Sequence, residues 1–221
     1  MNIDHVILGA RRIGPLREWL RDGFGFGVTD GSPNPDGTAS WIVPMDNERV
    51  QYLELLVVSD ESQLADTPFG ATFLDRTADG PTFLNWAVLT EDIESDADRV
   101  KQLSGEDPDL LSGTSVRADG QEVPWREAAF AASWRTPALP FFLQYGNWTA
   151  RRERVPGDLA AAAHDDCPTG IDALTVDVLQ ADVTAWLGEA RLPLRLRSGA
   201  ADAVRAVTVG AVSGTHVLEL P

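Results

Sequence analysis

The sequence opens with the apolar stretch Ile3-Asp4-His5-Val6-Ile7-Leu8. A second, similar stretch follows about fifty residues later: Val50-Gln51-Tyr52-Leu53-Glu54-Leu55-Leu56-Val57-Val58. Both are rich in branched and aromatic residues and are bounded by turn-forming residues, which predicts two β-strands. His5 lies in the middle of the first strand, and Glu54 lies in the middle of the second. Because an unpaired polar group is costly to bury among apolar neighbours, the two are predicted to form either half of a metal site or a buried hydrogen-bonded couple.

Length, charge and cysteine content narrow the function classes. The chain has 221 residues, enough for one large or two small domains with a sizeable core. Its 34 acidic residues outnumber 18 basic ones, and a net charge of -16 repels a phosphate backbone, so no nucleic-acid partner is predicted. We expect no membrane partner and no signal peptide, because no apolar run is long enough to span a bilayer and the first strand begins at once. Cys167 is the only cysteine, which excludes an intrachain disulfide and favours a cytoplasmic location.

One supersecondary unit, with the order βαβββ, is predicted to recur along the chain. The first copy covers residues 1–58, the second covers 81–146, and a third, incomplete copy covers 171–221. Residues 151–170 are predicted to be a linker. A unit of this kind buries one face against another. The third copy is therefore predicted either to pair with a copy from another subunit, giving a homodimer, or to pack on the first two as a cover.

Polar residues recur at matching places when the three copies are aligned without gaps. The aligned residues are His5, Asn85 and Ala173 in the opening strands, and Glu54, Gln144 and Glu219 in the closing strands. Five of these six positions are polar in strands that are otherwise apolar. The recurrence predicts that one position in each of the two strands faces a polar site.

The repeat and its residues carry a resemblance to a known superfamily. The stretches that match are residues 3–6, 52–56, 85–93, 118–126 and 139–146. With them the chain resembles the vicinal-oxygen-chelate superfamily, and within it the glyoxalase-like domain proteins, over about residues 1–150. The resemblance implies an α+β fold in which βαβββ modules, each with strand order 1-4-3-2, form a cupped, barrel-like mixed sheet.

The resemblance also implies where a metal would bind, because the first and last strands of each module supply the ligands in this superfamily. His5 and Glu54 match the first-module ligands, and Asn85 and Gln144 occupy the second-module positions. Neutral amides bind divalent metals more weakly than imidazole and carboxylate do, and two strong ligands rarely hold zinc. The expectation is a weak site for zinc, nickel, manganese or magnesium on His5, Glu54 and Gln144, or a metal-free cup in which His5 and Glu54 pair.

The predicted function follows from this cup. Glu54 and His5 are the predicted catalytic residues, and the predicted substrate-binding residues are Trp41, Asn85, Trp86, Trp125, Arg126 and Tyr145. The first hypothesis is a metal-dependent lyase or isomerase of the glyoxalase type that acts on a small oxygenated molecule. The alternative is a non-catalytic protein that sequesters a small aromatic, antibiotic-type molecule. A purely structural or regulatory module, the third possibility, requires a cup filled by side chains.

Overall fold

The computed structural model describes residues 1–116, 120–198 and 202–220. Its elements, in chain order, are β1 (Asn2–Ala10), α1 (Ile13–Phe24), β2 (Ser32–Pro33), β3 (Thr38–Pro44), β4 (Tyr52–Val58), α2 (Glu61–Ala65), α3 (Pro68–Arg76), β5 (Thr82–Leu89), α4 (Ile93–Ser104), β6 (Leu111–Val116), β7 (Glu122–Ala128), α5 (Phe130–Arg135), β8 (Phe141–Tyr145), α6 (Trp148–Glu153), α7 (Val155–Ala162), β9 (Pro168–Asp177), α8 (Gln180–Leu187), β10 (Leu194–Arg197), β11 (Ala203–Ala211) and β12 (Gly214–Leu218). Within these ranges, no helix combines the length and apolar character needed to cross a membrane.

The first two modules share one eight-stranded sheet of order β2-β3-β4-β1-β5-β8-β7-β6, which curls into a half-barrel. The predicted strand order, 1-4-3-2 in each module, is confirmed in both. β1 lies at the centre, paired in parallel with β4 and antiparallel with β5. The opening stretch of the sequence is therefore the strand on which both modules meet, and it is buried after its first residue.

Alternate residues of β1 point to opposite faces of this sheet. Val6, Leu8 and Ala10 belong to a core on the outer face, which also includes residues of α1 and α4. His5 and Ile7 point to the inner, concave face, where they line a cavity. The alternation thus divides the strand between a packed core and a candidate site.

The two long helices that cover the outer face have clear local reasons to form. In α1, Leu16 and Leu20 are buried one turn apart, and the helix ends at Gly25, whose φ of 72° suits glycine. In α4, the carboxylate of Asp92 accepts the N–H of Ser95 at 3.1 Å as an N-terminal cap. These helices cover the outer face. On the inner face a second, smaller core packs Leu64, Phe73 and Trp134 of α2, α3 and α5 against the sheet, and the cavity lies beside it.

The third unit forms its own four-stranded sheet of order β10-β9-β11-β12. Its elements follow the βαβββ sequence, but its first strand lies between the second and third instead of beside the fourth. Leu174 and Trp186 join the outer-face core, and the indole N–H of Trp186 donates to the carbonyl oxygen of Pro140 at 2.8 Å. The unit therefore packs on the first two modules, and none of its described residues lines the cavity.

The segment expected to be a linker is ordered and forms α6 and α7 with the start of β9. The side chain of Asn147 caps α6 by accepting the N–H of Ala150 at 3.0 Å. Arg151 on α6 is buried, with 2% of its side chain exposed. Arg151 turns inward, where its guanidinium pairs with the buried carboxylate of Asp4.

Candidate functional site

A cavity of about 420 Å³ lies against the inner face of the eight-stranded sheet. Both modules contribute to its wall, with His5 and Glu54 from the first and Trp125 and Glu127 from the second. Asp158 on α7 adds to the same wall. A volume of this size is typical of sites for small organic molecules. Since side chains do not fill the cup, the condition for a purely structural module is not met.

The structure brings His5 and Glu54 together in this wall. Nε2 of His5 lies 3.5 Å from Oε2 of Glu54, a separation longer than a good hydrogen bond, and Nε2 has no hydrogen-bond partner. The other oxygen of Glu54 accepts the hydroxyl hydrogen of Ser40 at 2.9 Å. His5 is 3% exposed, whereas 22% of the Glu54 side chain is exposed. Glu54 is therefore the more accessible member of the pair, with His5 behind it.

Behind His5 stands a buried ion pair that the sequence did not indicate. Nδ1 of His5 lies 2.7 Å from Oδ1 of Asp4, and Oδ2 of Asp4 accepts a hydrogen bond from Nη2 of Arg151 at 2.6 Å. The guanidinium of Arg151 also lies over the ring of Tyr145, 3.6 Å from its centroid. Neighbouring side chains thus form one series of polar and charged groups, in the order Glu54, His5, Asp4 and Arg151, and Arg151 also lines the cavity.

The position of Asp4 depends on an irregularity in β1. Neighbouring residues of a regular strand point to opposite faces. The pairing of β1 with β5 shifts register between Ile3 and His5, so Asp4 has no partner in β5. A bulge of this kind re-aims a side chain. It is the local feature that lets the carboxylate of Asp4 reach the ring of the next residue.

The pKa of Asp4 lies below its ordinary value. Burial alone would raise it, but Arg151 and His5 stabilise the charged carboxylate more strongly. Asp4 therefore stays ionised at neutral pH and accepts the Nδ1–H of His5. In the neutral imidazole this fixes the tautomer in which Nε2 is a hydrogen-bond acceptor.

Aromatic rings hold the imidazole in place. The ring of Tyr52 stacks on that of His5, with centroids 4.7 Å apart and planes at 17°, and Phe141 meets it edge-on at 5.6 Å. Burial raises the pKa of the phenols of Tyr52 and Tyr145, so both are neutral at physiological pH. The surroundings of His5 are therefore aromatic and uncharged apart from Asp4, Glu54 and Arg151.

A second acid-base group, Glu127 on β7, lines the cavity from the other module. Burial raises its pKa to about 7; His5 opposes this shift, while Glu54 and Asp109 add to it. A carboxyl that titrates near neutral pH is suited to give or take a proton in catalysis. The cavity thus holds acid-base groups on both halves of the sheet.

Three residues of this site were missed by sequence reasoning. Arg151 lies in the segment interpreted as a linker, and Asp4 was not singled out although it stands beside His5 in the sequence. Glu127 was detectable, because Val123, Trp125 and Glu127 follow each other at alternate positions of β7 and all line the cavity. The alternation in that strand was the available signal.

Of the predicted substrate-binding aromatic residues, the structure places Trp125 and Tyr145 in the cavity wall. It places the other two on the outer face. Trp86 is fully buried in the outer core, where its indole N–H donates to the carbonyl oxygen of Ala138 at 3.2 Å, and Trp41 packs against the same core. Both side chains serve packing, because their positions alternate with the inward residues of β5 and β3.

The two polar members of the predicted substrate set also lie away from the cavity. Arg126 follows the inward Trp125 and so points outward, where it pairs with Glu94. Asn85 is fully buried, donating to the hydroxyl oxygen of Ser133 at 2.9 Å, while its own amide oxygen accepts a backbone N–H. It does not line the cavity. Asn85 is a structural amide, and Arg126 belongs to the outer surface.

Gln144, predicted as a metal ligand, also faces away from the cavity. Its amide N–H donates to the carbonyl oxygen of Glu91 at 2.6 Å, and its partner across the sheet is the outward Arg126. The structure therefore does not bring Gln144 to His5 and Glu54, and the expected three-ligand site is not formed.

The strand register explains this correction. Val6 and Trp86 are paired where the opening strands of the two modules meet, and they occupy equivalent positions in those strands. Ile7, one residue further on, therefore corresponds to Ala87. Ile7 lies opposite Glu54 in β4, and Ala87 lies opposite Phe141 in β8. Phe141, not Gln144, thus occupies the second-module counterpart of Glu54. The gapless alignment matched Glu54 with residue 144 instead of residue 141. This is an error of three residues, and because the number is odd, it places the side chain on the other face of the sheet.

The donors at the site do not fit a resident divalent metal. His5 and Glu54 supply two donor atoms, the other nitrogen of His5 is engaged by Asp4, and the apolar ring of Phe141 stands where a further ligand would be. Across the described ranges, no group of three or more His, Cys, Asp or Glu residues is arranged to hold a metal ion. Zinc and related ions take at least three protein ligands.

Paired βαβββ modules in one curled sheet, with a polar cup on the inner face, define a protein of the vicinal-oxygen-chelate superfamily. The chain belongs to the family described as Glyoxalase-like domain, whose model matches residues 3–192. The matched range includes both modules, the helices α6 and α7, and the first strand and helix of the third unit. No curated protein matches the sequence.

Solved structures share the fold at low sequence identity. A hypothetical protein from Staphylococcus aureus has a TM-score of 0.65 at 15% identity, covering 96% of this chain and 92% of its own. Methylmalonyl-CoA epimerase from Mycobacterium tuberculosis has a TM-score of 0.39 at 17% identity, covering 65% of this chain and 86% of its own. The Streptomyces coelicolor enzyme of that name, in complex with 2-nitronate-propionyl-CoA, reaches 0.45 at 16% identity, covering 66% and 93%. At such identities the likeness concerns the fold alone.

Proposed function

We propose that the protein is a lyase or isomerase that binds a small oxygenated molecule in the cup and moves a proton on it. The observation that carries this proposal is the presence of acid-base groups on both halves of one cavity. Glu54, coupled to His5, lines the cavity from the first module, and Glu127 lines it from the second. Two proton-handling groups across one substrate allow a proton to leave one atom while another atom receives one.

In this proposal Glu54 is the base. Glu54 is the most exposed residue of the series Glu54, His5, Asp4 and Arg151. Its carboxylate takes a proton from a carbon next to a carbonyl group of the substrate. Asp4, held ionised by Arg151, orients the ring of His5 so that Nε2 faces Glu54 and can share the proton that Glu54 takes. The step leaves an electron pair on the substrate, spread between the carbon and the carbonyl oxygen.

Glu127 completes the reaction from the other wall. With a pKa of about 7, a substantial fraction of its carboxyl groups carries a proton at neutral pH. The protonated form stabilises the substrate oxygen by hydrogen bonding, or returns a proton to carbon in an isomerisation. No step is routed through a metal ion, because the donors of the cup do not form a metal site.

The second candidate, a protein that sequesters an aromatic molecule without chemistry, is supported by the lining of the same cavity. Its aromatic members are Tyr52, Phe69, Trp125, Phe130, Phe141 and Tyr145. Aromatic walls bind planar molecules through large contact areas and ring stacking. This candidate predicts binding with no change to the ligand.

Exchange of carbon-bound hydrogen in heavy water separates the two candidates. Aromatic and aliphatic ketones, 2-oxo acids and hydroxyketones are incubated with the protein, and deuterium incorporation next to the carbonyl is followed by NMR. We expect exchange with wild type, a loss of about 100-fold in Glu54→Gln and Glu127→Gln, and no change in Glu122→Gln. Glu122 is the matched control because it is an exposed glutamate on the same strand as Glu127. If compounds bind but no hydrogen exchange occurs, the enzyme proposal is refuted and the sequestering function takes its place.

We also propose, from the sequence, a homodimer and a cytoplasmic location. Light scattering on the full chain measures the first, and a mass equal to one chain of 23.9 kDa would contradict it.

A further inference from the structure

Two hydrogen-bond acceptors, one on His5 and one on Glu54, lie side by side in the wall of the cup. Because the Nδ1–H of His5 is taken by Asp4, Nε2 of the neutral ring is an acceptor. Its neighbour is Oε2 of Glu54, another acceptor, at 3.5 Å. Nε2 is unpartnered although His5 is 3% exposed and lines the cavity. Buried polar atoms are normally hydrogen-bonded, so a donor that belongs to a ligand would complete this pair.

The charges around the cavity favour a positively charged ligand. The lining residues include two arginines, and the charge of each is offset by an aspartate: Nη2 of Arg151 lies 2.6 Å from Asp4, and Arg154 lies 2.6 Å from Asp158. Nη1 of Arg151 has no hydrogen-bond partner. Glu54, by contrast, has no arginine or lysine partner among the residues that the structure describes. An anionic ligand would meet this carboxylate without a free cation to offset it, whereas a cation would gain an ion pair.

The walls distinguish an organic cation from a metal ion. Tyr52 and Phe141 flank His5, and Trp125 and Tyr145 line the same cavity. Aromatic faces attract cations through their quadrupole, most strongly where water is excluded. A metal needs a close shell of several donor atoms, which is not formed here, but an ammonium group needs few acceptors and benefits from ring faces.

We propose that the cup takes an aromatic ammonium compound, whose N–H groups donate to Nε2 of His5 and Oε2 of Glu54 while its ring lies against the aromatic walls. This inference rests on the proposed function only in placing the ligand in the same cup, and it adds the chemical class of the ligand. It assigns Glu54 a second role, that of selecting charge.

Matched probes test the ligand class directly. Naphthylethylamine, naphthylethanol and naphthylacetate share one ring system and differ in whether the end group is positive, neutral or negative. Titration calorimetry on the wild-type protein is expected to give about tenfold tighter binding for the amine than for the alcohol, and the weakest binding for the carboxylate. The proposal is overturned if the carboxylate binds as tightly as the amine, if amine and alcohol bind equally, or if none of the three binds.

A variant locates the effect at Glu54. Glu54→Gln keeps the shape and an acceptor oxygen for Ser40, and it is expected to reduce amine binding about tenfold while leaving the alcohol unchanged. Glu122→Gln, on the outer face, is the control and leaves both unchanged. Equal loss for amine and alcohol would mean damage to the cup and would contradict charge selection. If Glu54→Gln does not fold, the ranking of the three probes on wild type decides.

The outcome is separable from that of the proton-transfer proposal, because the probes bind without needing to react. If the amine ranks first and no compound exchanges hydrogen, the ligand class stands and the sequestering function replaces the enzyme. If exchange occurs on anionic substrates and the amine does not bind, the enzyme stands and the ligand class is refuted.

Discussion

Replacing Arg151 by methionine removes the cation that pairs with the buried carboxylate of Asp4, and it is expected to destabilise the protein by about 3–5 kcal/mol. Arg151 and Asp4 are 2% and 0% exposed and lie 2.6 Å apart, so the change leaves a buried carboxylate without its charge partner. Methionine preserves most of the length and apolar contact of the arginine stem. The free energy of unfolding is measured at pH 7 by urea denaturation, followed by tryptophan fluorescence.

Arg152→Met is the matched control. Arg152 is 50% exposed and lies 3.7 Å from Glu48, which is 90% exposed, so this surface pair contributes well under 1 kcal/mol. Asp4→Asn combined with Arg151→Met removes both charges and is expected to recover part of the loss. The reasoning is refuted if Arg151→Met is no less stable than Arg152→Met.

The same variant has a pH signature. In wild type the pKa of Asp4 is lowered from its ordinary value near 3.8, so its stabilising contribution is present above that pH and is lost as pH falls through the lowered value. Without Arg151, burial dominates and the pKa rises, so Asp4 protonates at a higher pH. The difference in stability between the variant and wild type is therefore expected to shrink as the pH is lowered from 7 towards 4. A difference that stays constant over this range would show that Asp4 is not the group left unpaired.

Two further predictions follow from the inner face. Phe141→His places a third donor beside His5 and is expected to create zinc binding measurable by calorimetry, whereas Gln144→Glu, on the other face, creates none; equal binding by both would contradict the register. Asn85→Ala removes the hydrogen bond that the Asn85 amide donates to Ser133 and leaves the buried backbone N–H of Trp86 without its acceptor, and it is expected to lower the free energy of unfolding by about 1–3 kcal/mol. A loss in urea denaturation no larger than that of a surface substitution would show that this amide is not structural.

The meeting of His5 and Glu54 could be predicted because their strands carry strong local signals. Each is an apolar run with one polar interruption, and the resemblance supplies the adjacency of first and last strands. The same reasoning predicted the strand order of both modules. The third unit keeps the element sequence but not the strand order, because Leu174 and its neighbours bury themselves against the outer core instead of pairing as the first modules do.

The remaining errors have physical causes in particular residues. Phe141, Phe142 and Leu143 are all buried, so β8 lacks the alternation that would fix which residue faces inward, and Gln144 was misplaced. Arg151 lies in a segment without apolar periodicity, and its position depends on the tertiary contact with Asp4. Local sequence carries neither the register of a uniformly apolar strand nor a long-range ion pair.

The proposed role of the cup in proton transfer depends most directly on Glu127, whose pKa can be measured by carbon NMR titration of the glutamate side-chain carboxyl groups. We predict one resonance that titrates at about 7 in wild type and is absent from Glu127→Gln. Because the pKa in the folded state is raised above its ordinary 4.5, wild type should also lose stability relative to Glu127→Gln as the pH rises from about 4.5 through about 7. A spectrum in which every glutamate titrates near its ordinary pKa, with no difference in stability between the two proteins across that range, would contradict the assignment of Glu127 as an acid-base group poised at neutral pH.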